Sequence, residues 1–222
     1  MNDIPQPPAG PNILRELTWP IDYRQGEEGY LTVLTDAVTR THTIFLPAQD
    51  SIAGPLRWIE VQHEAAHCLL AERCHHLFSI SKFRGGGQDF VASLTPIFNT
   101  ATDWFTDELL FLRWPEVMRS EVIEHLRAMP PSAMQTPEQA WGVVFLLAQA
   151  QRYRCSQARK RALKILPPEI TKIVDFFLAT DPSKPRVTDL QRLINSMLRV
   201  AIDGELSVSL VDDGGLEVWE FT

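Results

Sequence analysis

The sequence predicts an α+β fold dominated by helix, on three observations. Two short alternating runs rich in β-branched residues stand near the N-terminus, GYLTVLTD at 29–36 and THTIFLP at 41–47. Between 55 and 202, proline repeatedly opens stretches whose apolar residues recur at helical spacing. The chain then closes with GELSVSLVDDGGLEVWEF, two alternating runs flanking Asp-Asp-Gly-Gly, a hairpin signal.

The elements follow in order. Residues 1–28 are rich in proline (Pro5, Pro7, Pro8, Pro11) and read as a flexible arm. Four residues separate the runs at 29–36 and 41–47, so the two are expected to pair as neighbouring strands. Pro55 is a favoured first helical position, and Leu56, Ile59, Ala66, Leu69 and Leu70 carry helical spacing onward, which predicts a helix over 55–76. SISKFRGGGQDF at 79–90 reads as a loop with three consecutive glycines, a candidate flap. It lacks the Lys-Ser/Thr ending of a phosphate-binding loop. Thr95-Pro96 resembles an N-cap and first turn, giving a helix at 96–112 that Trp114-Pro115 stops. Further helices are expected at 115–129, 137–164, 168–180 and 187–202. The division this suggests is an arm at 1–28, a metal-binding core at 29–114 and a helical layer at 115–222, packed as one domain.

Composition narrows the function. The 222 residues are 45% apolar and 22% charged, enough for a core without disulfide staples. Lys plus Arg number 21 and Asp plus Glu 28, a net charge of −7, which argues against a general nucleic-acid or anionic-membrane binder. The opening residues lack the basic and apolar regions of a signal peptide, and no apolar run approaches ~18 residues. Three cysteines make no disulfide framework, so a reducing, cytoplasmic setting is the expectation.

Four of the six histidines and two of the cysteines are concentrated in one stretch: His63, His67, Cys68, Cys74, His75 and His76. Residues 63–67 read HEAAH, the pattern H-E-x-x-H on a predicted helix. Two histidines four apart share a helix face and can converge on one metal at ~2.0–2.1 Å. Glu64 sits about 100° further round, placed to act as a general base beside the metal rather than to ligate it. Zinc bound there would bring a water to a pKa of ~7.

A catalytic zinc needs a third protein ligand and an open position. Cys74 is seven residues past His67, about 10.5 Å along the axis, and His75 and His76 are further. A metzincin would carry Gly at 70 and His at 73, where this chain has Leu70 and Arg73. The better source is the apolar helix IFNTATDWFTDELLFL, which carries a polar stripe of Asn99, Asp103 and Asp107 at four-residue spacing. Buried carboxylates must be paired or bind metal. Asp103 is therefore assigned as third ligand. Asp107 and Asn99 are assigned as supporting groups, Asp107 holding the other ring N–H of a ligand histidine. An exchange of the Asp103 and Asp107 roles stays open.

These residues resemble zincin-like metallopeptidases. His63, Glu64 and His67 followed by Asn99, Ala101 and Asp103 are similar to the H-E-x-x-H and N-x-A-x-D pair of the predicted metallopeptidase domain that accompanies von Willebrand A-type domains. Phe105, Leu109 and Leu110 are similar to the F-x-x-x-L-L of ImmA/IrrE-like proteins, whose glutamate ligand one turn earlier is replaced here by Asn99. The resemblance covers about residues 40–115. It implies a zincin-like core with one zinc on two histidines and an acid, Glu64 as base, and hydrolysis of peptide bonds in a peptide or protein substrate. The alternative is a catalytically inactive zincin-like module that binds a partner protein. An oxyanion-stabilising group could come from His75, His76, His125 or Tyr153.

One basic concentration remains. Arg152, Arg154, Arg159, Lys160, Arg161 and Lys164 lie within 152–164, with no acid between Glu138 and Glu169. The run reads as the solvated face of an amphipathic helix, and as a local exception to the exclusion of nucleic acid.

Overall fold

The computed structural model describes residues 4–7, 10–26, 29–47, 56–129, 137–164, 170–202 and 206–222. Among them are seven α-helices and two mixed three-stranded sheets. The chain divides into two compact units, residues 1–82 with 212–218 and residues 83–211 with 219–222.

In the first unit, strands β1 (Ile21–Gln25), β2 (Thr32–Asp36) and β3 (Thr41–Leu46) form a sheet in the order β1-β3-β2. The expected pairing of β2 and β3 is antiparallel, with Val33 opposite Ile44. β1 was not expected. It lies parallel to β3, with Tyr23 opposite Ile44, inside the segment read as a flexible arm. The described part of that segment is built into the fold from Ile4, which packs against the apolar cluster that includes Leu31, Val33 and Ile44. Ile13 starts a short 3-10 turn, is fully buried, and donates its N–H to Gln62 Oε1 at 2.7 Å.

Helix α1 (Trp58–Arg73) packs on this sheet, with Val61 and Cys68 joining Leu31, Val33 and Ile44 in one apolar cluster. The helix starts at Trp58 rather than 55; Pro55 lies outside the described residues. Glu60 closes the first turn by accepting the Arg57 N–H at 3.1 Å. The helix stops at Arg73, and a 3-10 turn, His76–Phe78, follows.

The second unit is built around α2 (Gln88–Arg113), which begins eight residues before the predicted start at Pro96. Pro96 lies inside the helix. The bond it cannot donate would go to the carbonyl of Ala92, an exposed residue whose carbonyl water can satisfy. Leu94, Ile97, Phe98, Ala101, Trp104, Phe105 and Leu110 are buried along α2. Helices α3 (Pro115–Ala128), α4 (Pro137–Arg152) and α7 (Val187–Ala201) pack against it. α2 and α3 belong to the same unit and are joined through Trp114 alone.

The helix predicted over 137–164 is two helices, α4 and α5 (Ser156–Ala162). Cys155 N–H bonds Ala150 O at 2.7 Å and Arg154 N–H bonds Gln151 O at 3.2 Å, the paired closure of a Schellman motif. Arg154 takes the left-handed position with φ 63. Helix α6 (Ile170–Leu178) begins where description resumes; the predicted start at Pro168 lies outside the described residues.

The C-terminal hairpin forms as read, β5 (Val208–Asp213) and β6 (Leu216–Phe221), turning through Gly214 and Gly215 at φ 67 and 90. Two positive φ values in succession are the reason glycine is favoured at such a turn. A two-residue strand β4 (Phe83–Arg84) runs parallel to β6, pairing Phe83 with Trp219. Gly85 and Gly86 leave it at φ 77 and 81.

Candidate metal centre

His63 and His67 occupy one face of α1, as their spacing requires. Their rings meet edge to face with centroids 4.8 Å apart, and the two Nε2 atoms are 3.2 Å apart. Two nitrogens each ~2.05 Å from one tetrahedral ion stand about 3.3 Å apart, so the pair already has the spacing of a zinc coordination edge. His67 is buried, and its Nδ1 lies 2.7 Å from the carbonyl of Phe78, which can only accept. The ring proton is therefore on Nδ1, and the Nε2 lone pair faces His63.

His63, His67 and Asp103 form a possible metal-binding triad: each offers one ligand atom, and these atoms lie within 4.8 Å of one another. Among the described residues this is the one group of three or more His, Cys, Asp and Glu side chains so placed. Two imidazoles and a carboxylate are the donor set of a catalytic zinc site, with room for one more ligand.

The other expected site residues fall differently. Asp107 accepts a hydrogen bond from Gln149 Nε2 on α4 at 2.7 Å. Of the two ligand histidines, His67 has its other ring N–H on the Phe78 carbonyl, brought round by the turn after α1. Asn99 is exposed, and among the described residues its side chain makes no hydrogen bond; only its carbonyl accepts, from Thr102. Glu64, one residue past His63, is half-buried.

The remaining members of the histidine cluster are occupied elsewhere. His75 and His76 stack with centroids 4.4 Å apart. His75 Nε2 lies 2.8 Å from a Glu217 carboxylate oxygen, and His76 Nε2 donates to the Glu217 carbonyl at 2.7 Å. Burial, reinforced by the neighbouring His75, holds His76 below the usual imidazole value. His125 Nδ1 is on the Glu121 carbonyl one turn back. Tyr153 is 1% exposed and stacked on Phe111 at 4.0 Å, and burial raises its phenol well above the ordinary value.

Two buried polar groups escaped the sequence reading. Glu108, next to Asp107, is 4% exposed and is gripped by Arg152 through two bonds of 2.7 Å. His42 on β3 is fully buried between Glu72 of α1, at 3.0 Å from its Nε2, and Thr35, at 2.9 Å from its Nδ1. Glu72 also accepts from the Thr18 hydroxyl and from the N–H groups of Thr18 and Trp19. A charged residue inside an apolar run was the available signal for Glu108; nothing in the sequence marked the partner.

No protein-family model, curated protein or solved structure matches the chain. Among the described residues no helix is long and apolar enough to cross a membrane.

Proposed function

We propose that the chain is a zinc-dependent peptidase of zincin type, with His63, His67 and Asp103 as the metal ligands and Glu64 as the general base. The observation that carries this reading is the convergence of the three ligand atoms within 4.8 Å, two of them from an H-E-x-x-H helix. A divalent zinc held by this set would supply Lewis acidity, lowering the pKa of water at its open position to ~7 and polarising the scissile carbonyl.

The protein's own groups do the rest. The His67 Nδ1–H bond to Phe78 keeps the tautomer whose Nε2 can ligate, without a rearrangement at the moment of binding. Glu64 follows His63 on the same turn, so its carboxylate flanks the ligand pair. It takes a proton from the attacking water at a carboxylate oxygen and returns it to the leaving amine nitrogen, so the base is regenerated each turnover.

The test is metal content and turnover on the full chain. Purified protein should carry about one zinc per chain by mass spectrometry, and His63→Ala should lose it. Glu64→Gln should keep the metal and lose roughly 10²-fold or more of the hydrolysis of a peptide library. Zinc content indifferent to His63→Ala would refute the centre. A zinc-loaded wild type as inactive as Glu64→Gln would refute the peptidase and leave the non-catalytic module.

A further inference from the structure

The sequence left one feature without a role, the basic concentration at 152–164. The structure splits it into two parts. Arg152 is consumed internally, paired with Glu108 and Asp181. Arg154, Lys160 and Lys164 are exposed, as is Arg127 near the end of α3, and among the described residues none of these four side chains makes an ion pair. Arg127 and Arg154 line one open cleft of about 340 Å³ at the corner where α3 meets the α4–α5 turn.

We propose that this cleft binds a small ligand carrying two neighbouring phosphates, gripped by Arg127 and Arg154. Two guanidinium forks are the side chains best matched to phosphate oxygens, because each can donate two parallel N–H bonds. Ser156 adds a hydroxyl to the same lining, while Ile123 and Cys155 give it an apolar floor. The volume lies at the lower end of the range for small-molecule sites, roughly 300–1,000 Å³, which suits a ligand of modest size.

One further observation points to an anion. Arg154 holds the left-handed C′ position of α4, φ 63, where glycine would sit with less strain. The chain keeps an arginine at the rim of the cleft despite that local penalty.

The position also supplies a control that unfolding cannot mimic. Arg154→Gly removes the guanidinium and relieves the backbone, so its melting temperature should equal or exceed that of wild type. Inorganic pyrophosphate, titrated calorimetrically into the full chain, should bind at one site. Arg154→Gly and Arg127→Ala should each weaken it by about tenfold, while Lys160→Ala with Lys164→Ala changes it less than about twofold.

Four results would overturn the proposal. One is the absence of saturable pyrophosphate binding. A second is affinity unchanged by Arg154→Gly and Arg127→Ala, and a third is citrate binding as tightly as pyrophosphate. The fourth is tighter binding of a single-stranded oligonucleotide that depends on Lys160 and Lys164, which would make the patch a nucleic-acid surface.

Discussion

Replacing Arg152 by alanine should destabilise the helical unit far more than the loss of a surface ion pair. Glu108 has a side chain only 5% exposed, and both its oxygens accept from Arg152 at 2.7 Å. Exposed pairs contribute about 0–1 kcal/mol, but removing one partner of a buried pair strands a charge and costs about 3–5 kcal/mol. The Arg152 side chain is 29% exposed, so water softens the loss, and the lower end, about 3 kcal/mol, is the expected figure. At roughly 3 °C per kcal/mol for a domain of this size, the melting temperature should fall by about 9 °C. The double variant Glu108→Leu with Arg152→Met, which removes both charges and keeps the volume, should recover most of that loss. The assay is urea unfolding of wild type, both single variants and the double variant, read as a double-mutant cycle. A cost below about 1 kcal/mol for Arg152→Ala would refute the reasoning and make the pair an ordinary screened bridge. The result bears on the site, because Glu108 and Asp107 together tie α2, the helix of Asp103, to α4 through Arg152 and Gln149.

The buried His42–Glu72 pair sets a pH response. Burial holds His42 below its usual value of 6.5, outweighing the pull of Glu72. Burial by itself would raise Glu72, but hydrogen bonds from Thr18, Trp19 and His42 outweigh it and hold the carboxyl below its usual 4.5. Both groups are depressed, so the stability each contributes is present above the unfolded value and lost as pH falls. The urea midpoint, followed by circular dichroism, should be level from pH 8 to 7, decline below about 6.5 and fall more steeply below about 4.5. A midpoint unchanged between pH 7 and 5 would contradict this, and His42→Gln should shrink the first decline to the part that His76, whose imidazole burial also holds low, contributes. A second expectation concerns the ligand pair. In ¹⁵N-histidine spectra, His67 should carry its proton on Nδ1 both with zinc and with chelator, because the Phe78 carbonyl at 2.7 Å fixes it there. An Nε2–H signal in the chelated sample would show that the ring is not preset.

Elements whose evidence lies within a few residues were legible; those decided by distant partners were not. The β2–β3 pair and the Gly214–Gly215 hairpin carry alternation and turn chemistry in one stretch of chain. β1 reads IDYRQ, with one β-branched residue where β2 of equal length has three, and its pairing is with β3, some twenty residues on. Proline misled at Pro96, since a helix can cross it where the freed carbonyl faces water. The break between α4 and α5 has neither glycine nor proline, because the left-handed cap position is held by Arg154.

The candidate site divides along the same line. His63 and His67 were legible because a four-residue spacing fixes a shared helix face whatever the rest of the fold does. Asp103 was legible by a weaker argument, that a carboxylate in an apolar helix needs a partner, and it is the member of the stripe whose oxygen approaches the histidines. Its neighbours on the stripe have other surroundings. Asn99 is exposed, and Asp107 is held by Gln149. The more buried acid is Glu108, off the stripe, and its partner lay in a basic run read as solvated. Spacing identifies which side chains share a face, but not which face is covered. The group that orients His67 lay beyond side-chain reasoning altogether, since it is a backbone carbonyl, chemically identical at every residue, placed by the 3-10 turn at 76–78. A metal centre of this kind is thus legible in its ligands before its supports, because ligands are a matter of residue type and supports a matter of where the chain turns back.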